Sequence, residues 1–137
     1  MESVTINYLA VLAAVAFNFI LGGLWYSKFM FANKWLEAMN PTEEELAAMT
    51  AGAGKAMGYS FISASLMSFI LAYVVALVGA KTFFRGAETG FWLWLGFVAM
   101  THITTVLFEN RKWTLYFISM GYYFVSLLVM GGILAVW

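Results

Sequence analysis

Residues 3–27, 56–80, 89–108 and 113–137 of this 137-residue chain contain no Asp, Glu, Lys or Arg. A helix rises about 1.5 Å per residue and the hydrocarbon core of a bilayer is about 30 Å thick, so about 20 apolar residues cross it. Four such runs leave little chain for anything else. The fold expected is an all-α integral membrane protein, one transmembrane domain over residues 1–137, with spans near 4–26, 57–78, 90–108 and 113–137. A soluble fold fails on charge. Only 10% of the residues are charged and 64% are hydrophobic, against roughly 25% charged in ordinary soluble domains.

The balance of charges is even, with seven basic and seven acidic residues. No global field therefore attracts nucleic acid or anionic substrates. Cysteine is absent, which removes disulfides, thiolate nucleophiles and zinc–cysteine sites. Ala14-Val15-Ala16 resembles a signal-peptidase site, but the residues before the first run include Glu2 and no Lys or Arg. The first run is therefore read as a retained anchor helix.

The connection after the first span mixes Phe29, Met30, Phe31, Trp35 and Leu36 with Lys28, Lys34 and Glu37. That pattern predicts a short interfacial amphipathic helix over Lys28–Met39. Asn40-Pro41 ends it, and Thr42-Glu43-Glu44-Glu45 reads as a capping box for another helix. Ala51-Gly52-Ala53-Gly54 reads as a flexible joint, Gly79–Ala87 as a loop, and Glu109-Asn110-Arg111-Lys112 as a tight turn. Trp25, Tyr26, Trp35, Trp113 and Trp137, with Trp92 and Tyr116, fall near predicted span ends, where amphipathic rings anchor at the interface. Lys28, Lys34, Lys55, Arg111 and Lys112 lie on one side, Lys81 and Arg85 on the other. The positive-inside rule places the first and third connections in the cytoplasm and both termini outside a cell membrane.

Met57–Ala72 aligns without gaps on Met120–Ala135. Met57/Met120, Gly58/Gly121, Tyr59/Tyr122, Phe61/Phe124, Ser63/Ser126, Met67/Met130, Ile70/Ile133, Leu71/Leu134 and Ala72/Ala135 are identical pairs. An apolar alphabet inflates chance matches, but ordered matches at one offset favour duplication. The halves would be residues 1–78 and 88–137, two hairpins related as a parallel repeat. Tyr59, Ser63, Met67 and Ile70 form one helical stripe, and Tyr122, Ser126, Met130 and Ile133 another. The two are expected to face each other.

Polar residues within the runs are few. Asn18 needs partners in hydrocarbon, so it should face protein or a wet cavity; an interhelical hydrogen bond is the plain reading and ligand contact the sharper one. His102, Thr105 and Glu109 make a polar face in the third span, able to relay a proton or simply to bond within the bundle. Glu109 opposes the dipole at a helix C-terminus and should find a cation, with Lys28, Lys55, Arg111 and Lys112 as the candidates. With Tyr59, Tyr122, Ser63 and Ser126, these are the candidate residues of a solute site or polar path. Ser60, Ala64, Ser68, Ala72 and Ala76 recur every four residues, a spacing that lets helix backbones approach. A lone histidine without a cysteine or nearby second carboxylate is poor metal chemistry, so no metal or cofactor is expected. No hydrolase elbow, phosphate loop or dinucleotide fingerprint is present, and no residue is assigned to catalysis.

Gly22-x-x-Trp25-Tyr26-Ser27, then Phe31 and Trp35, Thr42-Glu43-Glu44-Glu45-Leu46, Phe108-Glu109-Asn110-Arg111 and Gly121-Tyr122 form a recognisable set. The chain resembles, over nearly its whole length, the small four-span proteins of domain-of-unknown-function family 1761, found mainly in bacteria. The Trp-Tyr-Ser element is the most specific part. The resemblance implies a four-span membrane protein and supplies no activity and no catalytic residues.

The functional expectation is a homo-oligomeric module that binds or passes a small solute, ion or lipid. The alternatives are a structural accessory subunit packed against other membrane subunits and a membrane-embedded lipid-modifying enzyme.

Overall fold

The computed structural model describes residues 3–137; Glu2, used above in reading the first anchor, lies outside them. Its helices are α1 (Tyr8–Trp25), α2 (Ala32–Met39), α3 (Glu43–Ala51), α4 (Ala53–Leu77), α5 (Phe83–Leu93), a π-helical stretch (Trp94–Ala99), α6 (Met100–Glu109) and α7 (Trp113–Val136). Four stretches are long and apolar enough to cross a membrane: α1, α4, the continuous Phe83–Glu109 unit, and α7. Over the described residues the chain is all-α, with four such helices.

Local chemistry sets the ends. Asn7 caps α1, its side chain accepting from the amides of Leu9 and Ala10 at 3.0 and 3.3 Å. Thr42 and Glu45 form the expected capping box at the start of α3. Asn40 and Asn110 end α2 and α6 with φ of 46° and 53°, a left-handed conformation asparagine tolerates better than most residues.

Three boundaries differ from expectation. The third span begins at Phe83 rather than Gly90, because Thr82 caps it and accepts from the Arg85 amide at 3.3 Å. Arg85, which falls in the stretch expected to be a loop, forms an exposed pair with Glu88 at 2.8 Å along the helix. Trp92 consequently sits well inside the helix and not at its end. The Ala51–Gly54 joint is helical apart from a break at Gly52, so α4 begins at Ala53. The interfacial helix is shorter than expected, starting at Ala32 after turns over residues 26–31.

α7 is the hub, packed against α1, α4 and α5. Lipid tails are as apolar as leucine, so spans associate through close packing and hydrogen bonds rather than through exclusion of water. α5 and α7 meet backbone to backbone. Gly86 and Gly90 are buried against the Gly131 and Leu127 carbonyls, leaving no room for a Cβ on either glycine. Gly131 in turn has the Gly86 carbonyl in its own Cβ position, and Gly132 has the Phe83 ring. Ala14, Leu71, Val75, Leu127 and Met130 form the buried centre.

The α1–α4 hairpin is built differently. Ser68 donates to the Val11 carbonyl at 3.0 Å, and Phe19 packs on Phe61 at 5.7 Å. Of the predicted small-residue ridge, Ala64, Ser68 and Ala72 are buried, while Ser60 and Ala76 are exposed. The whole of residues 53–63 is exposed, since α4 stands largely clear of α1 and α7 over its first turns and meets α1 there through Phe61 on Phe19. The two stripes therefore occupy unlike positions. Ser126 and Met130 are fully buried, whereas Tyr59 and Ile70 are 64% and 51% exposed.

Candidate functional site

Where α4 stands clear, a groove of about 630 Å³ opens between α1, α4 and α7. α1 contributes Asn18, Phe19, Gly22, Gly23 and Tyr26; α4 contributes Met57, Tyr59, Ser60, Ser63, Ala64 and Met67; α7 contributes Tyr122 and Tyr123. Among these lining residues there is no carboxylate, histidine, lysine or arginine. The walls are aromatic and apolar, with hydroxyls and one amide set into them.

A hydrogen-bonded chain forms its floor. The Tyr122 hydroxyl donates to the Asn18 side-chain oxygen at 3.0 Å and lies 3.3 Å from the Asn18 carbonyl. The Asn18 amide nitrogen donates to Ser126 Oγ, and Ser126 donates to the sulfur of Met130 at 3.3 Å. A buried amide with its oxygen and nitrogen both engaged carries no desolvation penalty for an orphaned group. The chain also ties the groove to the buried centre, because Met130, its last acceptor, lies in that centre.

The end of α1 is locked onto α7 beside this floor. Trp25 donates through Nε1 to the Ile118 carbonyl at 2.9 Å. Tyr26 donates to Ser119 at 3.4 Å and meets Tyr122 edge-on at 5.7 Å. Ser27 returns to the Leu24 carbonyl at 2.6 Å and finishes the helix. Trp25 and Tyr26, expected as interface anchors, pack against α7. Trp35 is half-buried, and Trp113 and Trp137 are 45% and 60% exposed.

Of the candidate site residues, the structure brings together Asn18, Tyr59, Ser63 and Tyr122 at the groove, with Ser126 directly behind Asn18. It leaves out His102, Thr105 and Glu109. His102 is exposed, and its Nδ1 lies 2.8 Å from the Val98 carbonyl of its own helix; a carbonyl only accepts, so Nδ1 carries the proton. Glu109 pairs with Arg111 at 3.0 Å on the exposed third turn. Helical spacing alone put these three on one face, but that face does not line the groove. Among the described residues, no group of three or more His, Cys, Asp or Glu gathers into a metal-holding set.

Sequence reasoning missed Phe19, Gly22, Gly23, Met57 and Tyr123 as lining. It also missed the closest helix contact, although Gly86-x-x-x-Gly90 is itself a small-xxx-small signal. A second hollow, of about 410 Å³, lies between α4 and the third span at the π stretch. π turns are often found at functional sites. Here the stretch places Phe97 and Val98 in the hollow's wall, and Trp94 donates to the Met120 carbonyl at 3.0 Å.

No curated protein and no solved structure matches the chain. The family model for proteins of unknown function DUF1761 matches residues 9–135, from the first span through the end of the fourth, and the chain belongs to that family.

Proposed function

We propose that this chain is a membrane-embedded binding module that holds a small amphipathic molecule in the groove between α1, α4 and α7. The observation that carries this is the Tyr122–Asn18–Ser126 hydrogen-bond chain, set under a groove otherwise walled by apolar and aromatic side chains. Sites for small molecules have this make-up, mostly apolar with a few placed polar groups. Tyr59 and Ser63 add two hydroxyls on the side that α4 leaves open. The groove sits at the end of the bundle nearest the first connection, which the distribution of Lys and Arg assigns to the cytoplasmic side. Catalysis draws no support from a lining without an acid–base pair.

The test is native mass spectrometry of the protein extracted gently from its own membrane. Recovery of one copy, or of a homo-oligomer, with a small molecule retained in the wild type and lost in Tyr122→Phe supports the reading. Recovery without any retained molecule, in one-to-one complex with unrelated subunits, overturns it in favour of an accessory subunit.

A further inference from the structure

The groove and the second hollow share two residues, Ser63 and Met67, and both lie along one face of α4. Met57 lines the first and Val74 the second, a separation on the order of 25 Å at about 1.5 Å rise per residue. The first end carries Asn18, tyrosines and serines. The far end is walled by Ile70, Val74, Leu93, Phe97 and their neighbours, with Ser63 as the one polar contributor. The lining is polar at one end and apolar over the rest, and where the two hollows meet stands the flexible thioether of Met67, a side chain that adapts its shape to what lies beside it.

Resting on the proposed groove, we infer that its occupant is a single long-chain lipid with an uncharged, hydrogen-bonding head. The head, a hydroxyl or carbonyl, sits among Asn18, Tyr59, Ser63 and Tyr122. The chain passes Met67 into the second hollow. Two arguments fix this class. A leaflet contributes about half of a roughly 30 Å core, and from Ser63 beside the head to Val74 the track runs on the order of 16 Å, so it takes a chain of about leaflet length, while a short prenyl tail leaves most of the second hollow empty. A phosphate or ammonium head would be buried without an opposite charge among the lining residues, which is costly at this depth. Lys55 stands 5.9 Å over the Tyr59 ring, outside the lining.

The experiment measures binding to the purified protein in nanodiscs with three probes: a long polyprenol, a short prenyl alcohol with the same head, and the long polyprenyl phosphate. Ile70→Trp and Val74→Trp each fill the far hollow, which both residues line without touching the groove. Each is expected to weaken the long polyprenol about tenfold while leaving the short alcohol within about twofold, which also shows that the variant is folded. Equal effects on both alcohols, or none on either, overturn the continuous track and leave the groove reading standing. Tighter binding of the phosphate, lost in Lys55→Gln, overturns the uncharged head. Failure of all three probes on the wild type, with no other retained molecule, removes the groove reading itself.

Discussion

The indole of Trp25 lies over Gly121, so close that a Cβ on the glycine would come within 2.9 Å of Trp25 Cζ2. Three residues earlier on α1, the relation is reversed: a Cβ on Gly22 would stand 3.3 Å from the Tyr122 hydroxyl. Each helix offers a glycine to the other's ring, and the Trp25 Nε1 bond to the Ile118 carbonyl at 2.9 Å fixes the register. Gly22-x-x-Trp25-Tyr26 and Gly121-Tyr122, two of the sequence elements that mark the family resemblance, are thus two sides of one contact. Gly121→Ala is expected to displace a rigid indole and destabilise the fold by about 1–3 kcal/mol. The measurement is reversible unfolding in detergent micelles with tryptophan emission as the signal, and an unchanged midpoint would show that the contact bears no load.

The glycines of α5 make a sharper case. Gly86→Ala would drive a methyl into the Gly131 carbonyl, a backbone atom that moves only if the whole helix moves. The expected cost is about 3 kcal/mol, at the upper end of ordinary overpacking. Gly58→Ala serves as the control, because no atom lies within 4 Å of its Cβ position and alanine favours helix by up to about 1 kcal/mol. Opposite signs for the two variants are expected; similar losses would mean that α5 and α7 are not in backbone contact.

The span count was legible because it follows from where charges are absent, a property no packing detail can alter. The span limits were less so. A helix can run past the hydrocarbon into the headgroup region, and Arg85 and Glu88 mark that extension rather than a loop. The site was legible in its polar half. Asn18 and Tyr122 stand out as groups that hydrocarbon does not tolerate alone, so a partner could be expected for each. His102 misled for a related reason: a histidine can satisfy itself on the carbonyl four residues back, and nothing in its spacing shows which way it turns. The groove was not legible, since it exists only because α4 departs from α1 and α7.

Replacing Asn18 tests the floor directly. Asn18→Leu removes the side-chain acceptor of the Tyr122 hydroxyl, leaving it the Asn18 carbonyl at 3.3 Å, and takes away the donor to Ser126 Oγ. Interhelical hydrogen bonds within membranes average about 0.6 kcal/mol and reach about 1.7, so a loss of about 1–2 kcal/mol is expected. A double-mutant cycle with Tyr122→Phe should show coupling of at least about 0.5 kcal/mol. Strict additivity would mean that the two side chains act independently.

His102 is expected to be dispensable. Its one bond runs to its own helix and its ring is exposed, so His102→Gln should change stability by less than about 0.5 kcal/mol and leave ligand retention unaltered. A loss of the retained molecule in this variant, by the same native mass spectrometry, would return the third span's polar face to the functional site.

Orientation can be read without background labelling, since the chain has no cysteine. Asn33 in α2 and Ser3 before α1 are both exposed, and they lie on opposite sides of the first span. Lys28, Lys34, Lys55, Arg111 and Lys112 share the side of Asn33, and that excess sets the expectation that this side is cytoplasmic. In intact cells, Ser3→Cys should react with a membrane-impermeant maleimide, while Asn33→Cys should react only after permeabilisation. The reverse pattern would place the polar end of the groove in the outer leaflet, and its occupant would then enter from outside the cell.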